Sequence, residues 1–269
     1  LDTSGSMDGL INQARARLWA IVNSLATTEK DGQVPDLRVA LYEYGNDGIP
    51  AEAGFVRQIC PLTEDLDEIS QKLFALTTNG GSEFCGLVIE RAVKELGWSD
   101  GDHFKAVFIA GNEPFTQGPV DYAKACGAAI ARGIVVNTLH CGPEADGRTG
   151  LWTHGAQLAD GQSINIDQNV QSVAIAAPQD GQLEELSRKL NETYVAFGDE
   201  GLARRELQKE QDKKAEAAAP GAGAERAIAK AGKGYKADAW DLVEAEEANK
   251  VDVGALKDAD LPDEMKGMD

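Results

Sequence analysis

The sequence predicts an α/β domain on a mostly parallel sheet, and three observations carry that expectation. Apolar β-branched runs alternate with segments of helical periodicity. A glycine pair, Gly80-Gly81, separates two helical patterns and places the second just after a Gly-rich loop. The 269 residues suffice for one domain of roughly 200 residues plus something smaller.

Taken in order, residues 9–27 place Leu10, Ile11, Ala14, Leu18, Ile21, Val22 and Leu25 at three- and four-residue spacings, which is an amphipathic helix. Residues 37–44 and 55–62 read as two short strands joined through the turn at 45–54, the second ended by Pro61 and acidic residues. Residues 66–76 and 85–96 have helical periodicity. A continuous apolar run at 106–110, a helix at 121–132 and a β-branched run at 134–139 give the strand, helix, strand order of a parallel sheet. Residues 163–167 and 173–177 are further strand candidates, and 182–194 carries Leu183, Leu186 and Leu190 on one helical face. The domain is expected to close near residue 198. From there to 236 the Ala, Glu, Lys and Gly composition, centred on Ala217-Ala218-Ala219-Pro220-Gly221, is linker chemistry. Residues 237–269 form a short acidic segment in which Trp240, Leu242 and Val243 mark either a docked helix or no stable structure.

The formal charge of −19 disfavours nucleic acid, because phosphate rewards clustered Lys and Arg. Most of this acidity serves solubility through self-repulsion. No apolar run approaches the roughly 20 residues that span a bilayer. The chain opens on Leu1 without Met or a targeting segment, and so reads as a fragment or a trimmed chain.

In an open parallel sheet the ligand crevice lies beyond the carboxyl ends of the strands, so function is expected in the loops that follow them. Asp2-Thr3-Ser4-Gly5-Ser6 presents a carboxylate and two hydroxyls at alternate positions just before a helix. Such hard oxygens suit a hard cation such as Mg2+, although an Asx turn capping the helix is the commoner meaning of the peptide alone. In context the string resembles the Asp-x-Ser-x-Ser signature of the metal-ion-dependent adhesion site in von Willebrand factor A and integrin inserted domains. The helix, the Leu-Arg-Val-Ala-Leu-Tyr strand, the Gly-Gly loop opening a helix and the apolar strand at 106–110 succeed it in the family's order.

The resemblance, over residues 1–198, implies a Rossmann-like three-layer α/β fold with a mostly parallel central sheet and an antiparallel edge strand at 55–62. It also implies a metal-dependent protein-binding module, not an enzyme, that holds Mg2+, with Mn2+ or Ca2+ as alternatives. A protein partner would complete the coordination with an acidic side chain. In the family a second loop gives the metal a Thr hydroxyl. Here Ser82 offers a hydroxyl and Glu83 stands where many relatives have Thr; one of the two is expected to reach the ion, unless Glu83 only favours its helix N-terminus. The family's third-loop Asp is replaced by Gly111, and Asn112 or Glu113 is the substitute, directly or through water. The metal set is therefore Asp2, Ser4, Ser6, Ser82 or Glu83, and Asn112. With Glu83 added, the ion would be a weaker acceptor for a partner's carboxylate.

The competing functions are a scaffold with a degenerate, empty site and a hydrolase that uses the ion or Cys85 with His140. Cys126, His140, Cys141 and His154 match no ordinary zinc spacing. Phe115 and Tyr122 are either binding anchors or ordinary packing. The four cysteines and the resemblance together suggest a periplasmic or secreted protein with at least one disulfide, against the alternative of four buried thiols.

Overall fold

The computed structural model describes residues 1–29, 31–167, 177–218, 221–257, 261 and 265–266. Two compact units divide them. Leu1–Ala20, Val39–Thr63 and Lys72–Ser172 form the first; Ile21–Arg38, Glu64–Gln71 and Val173–Asp269 form the second. None of the described helices is long and apolar enough to cross a membrane.

The elements run α1 (Ile11–Thr27), β1 (Val39–Tyr44), β2 (Val56–Thr63), α2 (Leu66–Ala75), α3 (Cys85–Glu95), β3 (Lys105–Gly111), α4 (Tyr122–Ile130), β4 (Ile134–Cys141), α5 (Glu144–Thr149), α6 (Trp152–Gln157) and β5 (Ser163–Ile166). After these come α7 (Asp180–Thr193), α8 (Gly198–Ala218), α9 (Ala222–Ala231) and α10 (Leu242–Glu247). The α/β class expected from the alternation is observed, and so is the antiparallel strand, since β2 pairs antiparallel with β1. The strand candidate at 173–177 falls almost wholly outside the described residues.

In the first unit β3, β4 and β5 are parallel, with Val107 opposite Val136 and Leu139 opposite Ile164. Residues 1–3 lie between this sheet and the β1–β2 pair. The Asp2 N–H donates to Ala110 O, the Thr3 N–H to Tyr44 O, and the Tyr44 N–H to Leu1 O. The chain thus leaves the middle of the sheet, returns on one side as β1 and crosses to the other as β3, which makes residues 1–3 a topological switch point. The apolar β3 and β4 runs follow from their burial, as parallel strands are covered on both faces. Tyr42, Val56, Ile89, Val93, Ile109, Ile134, Val136 and Trp152 share one core with Phe115. Phe115 stacks edge-on against Trp152 and Tyr122, at ring centroids of 4.8 and 5.6 Å, so it is packing and not a binding anchor. Asp121 caps α4 by accepting from the N–H groups of Ala123 and Lys124.

The second unit corrects the linker reading of 199–236, because most of that stretch is helical in α8 and α9. Ala, Glu and Lys are good helix formers as well as linker residues. Ion pairs Glu206–Lys209 and Glu210–Lys214 support α8 on its own surface. Buried contacts from Arg226 and Lys230 fix α9. In the acidic segment that follows, a helix is docked. The Leu242 N–H donates to Val195 O, Asp241 caps α10, and Trp240 packs with Tyr194 and Tyr235.

Candidate functional site

Three strand ends meet at the switch point: residues 1–3, β1 at Tyr44 and β3 at Gly111. Thr3 and Ser4 face opposite ways, and a 3-10 turn over Gly5–Met7 returns Ser6 beside Ser4. Thr3 Oγ1 donates to Glu43 Oε1 at 2.8 Å. Glu43 is itself held by Arg57 Nε at 2.7 Å and Asn46 Nδ2 at 3.3 Å. Asn46 also donates to Thr3 O and Thr77 O. This buried tether fixes the backbone beneath the first loop, and the loops are joined where the Gly5 N–H donates to Gly80 O at 3.1 Å. Sequence reasoning missed Glu43 and Asn46. The signal was a carboxylate inside an otherwise apolar strand, which is rarely buried without a partner.

Asp2 is fully buried. Its Oδ1 accepts the Ser4 N–H at 2.8 Å, which is the Asx turn. Its Oδ2 is buried with no hydrogen-bond partner. The Asx turn therefore accounts for one oxygen and leaves the other without a role. Ser4 Oγ lies 3.0 Å from Ser6 Oγ, and Ser6 Oγ donates to Asn112 Oδ1 at 2.9 Å.

A Cβ on Gly45 would fall 2.7 Å from Asp2 Oδ1, 3.1 Å from Glu83 Cγ and 3.4 Å from Ser4 Cβ. Asp2, Ser4 and Glu83 thus converge over the bare Cα of Gly45. The structure links Asp2, Ser4, Ser6 and Asn112 through hydrogen bonds and brings Glu83 beside them. Ser82, half-buried in the same loop, is not among the three nearest atoms there. Glu113 turns to Gln117, whose Nε2 donates to it at 3.4 Å.

Gly111, where the resemblance leads one to expect Asp, has a steric reason. A Cβ there would lie 2.5 Å from the Tyr44 hydroxyl and 2.8 Å from Asp2 Oδ2. That hydroxyl is fixed by donating to Ala110 O at 3.0 Å, so no side chain fits at 111. Glu83 stands near Asp2 as a second carboxylate.

Both carboxylates are perturbed. Burial raises the Asp2 pKa from 3.8 to about 6, against the opposing pull of the Ser4 N–H. Burial, then repulsion from Asp2, raises that of Glu83 from 4.5 to about 7. The folded protein therefore keeps protons that the unfolded chain releases above about pH 4. Stability from this pair is full below the unfolded values and is lost as pH rises through about 6 to 7. In EDTA, the urea midpoint of wild type is expected to fall relative to Asp2→Asn/Glu83→Gln between pH 5 and 8. A constant difference across that range would contradict the shifts.

The other reactive residues are occupied elsewhere. Cys60, Cys85, Cys126 and Cys141 are present as buried thiols, which overturns the expected disulfide and removes the cysteine argument for an oxidising compartment. Burial pushes the Cys85 thiol far above its ordinary range, and its Sγ donates to the Tyr44 hydroxyl, not to His140. His140 is buried at the end of β4 against Asn165, at 2.9 Å. His154 pairs with the Tyr122 hydroxyl. His140 is thus not placed as the base of a Cys85 nucleophile.

Among the described residues no three His, Cys, Asp or Glu side chains are grouped to hold a metal ion. A two-carboxylate, two-hydroxyl site falls below that count, and its chemistry still suits a hard cation. It holds an orphaned carboxylate oxygen, a second carboxylate and two hydroxyls, with oxygen as the only donor atom.

No protein-family model matches the chain, and no curated protein sequence does. Solved structures resemble it at low identity. Proximal thread matrix protein 1 from the mussel byssus, with a zinc occupied MIDAS motif, is 13% identical over 64% of this chain and 41% of its own, at a TM-score of 0.45. The von Willebrand factor type A structure from Catenulispora acidiphila is 17% identical over 62% and 38%, at 0.44. BatB from Bacteroides thetaiotaomicron is 13% identical over 71% and 94%, at 0.44. The matched region thus spans about two-fifths of the first two of these chains. In each case the likeness is one of fold.

Proposed function

We propose that the chain is a metal-dependent protein-binding module, for adhesion or complex assembly, whose ion is Mg2+ held by Asp2, Ser4, Ser6 and Glu83. The observation that carries this reading is Asp2 Oδ2: a carboxylate oxygen, buried and without a donor, beside two serine hydroxyls at the switch point. Burying a charged group unpaired is costly, and a bound cation is the simplest explanation of why the fold retains it. When bound, the ion supplies a Lewis-acidic point at which an oxygen ligand from a partner docks. The chain's own residues do the rest. Ser4 N–H orients the Asp2 carboxylate, the Glu43 tether holds the loop, and Gly111 leaves room for Asp2.

The partner is a protein offering an acidic side chain. Glu83 offsets part of the ion's charge, so this contact is weaker than a single-carboxylate site would give. Neither the buried Cys85 nor the occupied His140 favours hydrolysis.

Titrating Mn2+ into the chain by paramagnetic resonance and Mg2+ by calorimetry tests the reading. Wild type is expected to bind one ion, Glu83→Gln to bind at least tenfold more weakly, and Ser82→Ala to bind like wild type. If wild type takes up no ion, only the scaffold reading survives; if Ser82→Ala loses as much as Glu83→Gln, Glu83 is the wrong donor.

A further inference from the structure

We propose that Asn112 is a positioning residue that fixes the proton direction of the Ser6 hydroxyl and so presents its lone pairs to the ion. The inference rests on the metal reading above and goes beyond it by assigning Asn112 a role one step removed from the ion. The sequence alone places Asn112 among the ligands.

Two distances decide that direction. Asn112 Nδ2 donates to the Ser6 backbone carbonyl at 3.1 Å, which fixes the amide's orientation, since only its nitrogen carries protons. Asn112 Oδ1 is therefore the atom 2.9 Å from Ser6 Oγ, and an amide oxygen can only accept. The single Ser6 hydroxyl proton is committed to Asn112. Ser6 Oγ then has only lone pairs to offer its surroundings, Ser4 Oγ at 3.0 Å included. The Ser4 hydroxyl faces the Asp2 and Glu83 carboxylates as well as Ser6. The lone pairs of Ser6 Oγ thus stand beside a buried carboxylate oxygen that has no hydrogen-bond partner.

The arrangement is built from residues far apart in sequence, Ser6 and Asn112 being separated by 106 positions. Gly111 brings them together, because the backbone at 111 lies close against Asp2 and Tyr44 and delivers the next residue to the first loop. A cation entering such a site meets a Ser6 hydroxyl already turned to receive it. Without Asn112, Ser6 is free to donate elsewhere and must reorient on binding. Outer-shell partners of this kind typically contribute 10- to 100-fold in metal affinity.

Mn2+ is the probe. Affinity is read by paramagnetic resonance, the number of inner-sphere waters by water-proton relaxation, and the fold by circular dichroism. Asn112→Leu is expected to bind Mn2+ about tenfold more weakly with the water count of wild type. Asn112→Asp keeps an acceptor for the Ser6 hydroxyl, so it is expected to bind no more weakly than wild type with an unchanged count. An extra water in Asn112→Leu would make Asn112 a direct ligand and overturn the proposal, as would wild-type affinity in that variant. Should Asn112→Leu fail to fold, Asn112→Asp decides alone: weaker binding, or a water lost, refutes the proposal. Absence of Mn2+ binding by wild type would remove the metal reading and this proposal together, whereas binding insensitive to Asn112 removes this one only.

Discussion

Asp2→Asn is expected to abolish divalent-cation binding while making the metal-free protein more stable at pH 8. The two effects have one cause. Asp2 Oδ1 accepts the Ser4 N–H, so an asparagine must place its amide oxygen there and its nitrogen at the position of Oδ2. The orphaned acceptor becomes a donor, and its protons repel the ion. The loss should exceed the ~100-fold upper end for outer-shell changes, because a charge and a ligand disappear together. In the metal-free state the same substitution removes a buried, half-compensated charge, and with it the repulsion that raises Glu83. Thermal melts in EDTA at pH 8 are expected to place the variant above wild type. At a Mg2+ concentration 100 times its dissociation constant, linkage stabilises wild type by about 2.7 kcal/mol and the variant by nothing, so the order closes or reverses. Wild-type Mn2+ affinity in Asp2→Asn would end the assignment of Asp2 to the ion.

Much of this site is legible in the sequence, because its first loop is contiguous. Asp2, Ser4 and Ser6 stand within five residues, with a 3-10 turn at Gly5–Met7 bringing Ser6 back to Ser4, and the following helix and strands place that segment at strand ends. The rest depends on residues distant in sequence. The absence of a side chain at 111 is explained only by the Tyr44 hydroxyl and Asp2. The proposed choice of Glu83 over Ser82 rests on the convergence over Gly45. Asn112 reads as a replacement ligand, and only its two hydrogen bonds with Ser6 suggest another role. The cysteines mislead for the same reason: their count is visible in the sequence, whereas their separate buried positions are not. The strands and helices up to α4 are marked by periodicity. The short α5 and α6 are not, since six residues carry too little pattern to register.

The helices that read as a linker give the second large effect. Composition at 199–236 does not separate a linker from a helix, and the deciding contact joins Arg226 to Asp67, 159 residues away. In the second unit the Arg226 guanidinium reaches Asp67 and, through Nε at 2.9 Å, Asp212. Lys230 reaches Asp212 and, at 2.7 Å, Asn191 Oδ1, while Tyr235 donates to Asp67 and lies under the guanidinium at 5.4 Å. Two carboxylates thus face two cations, with only 3% of the Arg226 side chain and none of the Lys230 side chain exposed. Burial opposes every one of these charges. Asp212 is nonetheless held below its ordinary pKa, because Arg226 and Lys230 outweigh the cost of its burial.

A balanced network of this kind adds little net stability over an apolar core, but removing one partner strands the others. Arg226→Met keeps most of the side chain's volume and leaves Asp67 with Tyr235 as its only partner from this cluster. It is expected to destabilise the chain by about 3–5 kcal/mol in urea denaturation. Adding Asp67→Asn should recover a substantial part of that loss, since the stranded charge is then gone. Two single changes that simply add, with no recovery in the pair, would show that Arg226 acts through packing and not through its charge.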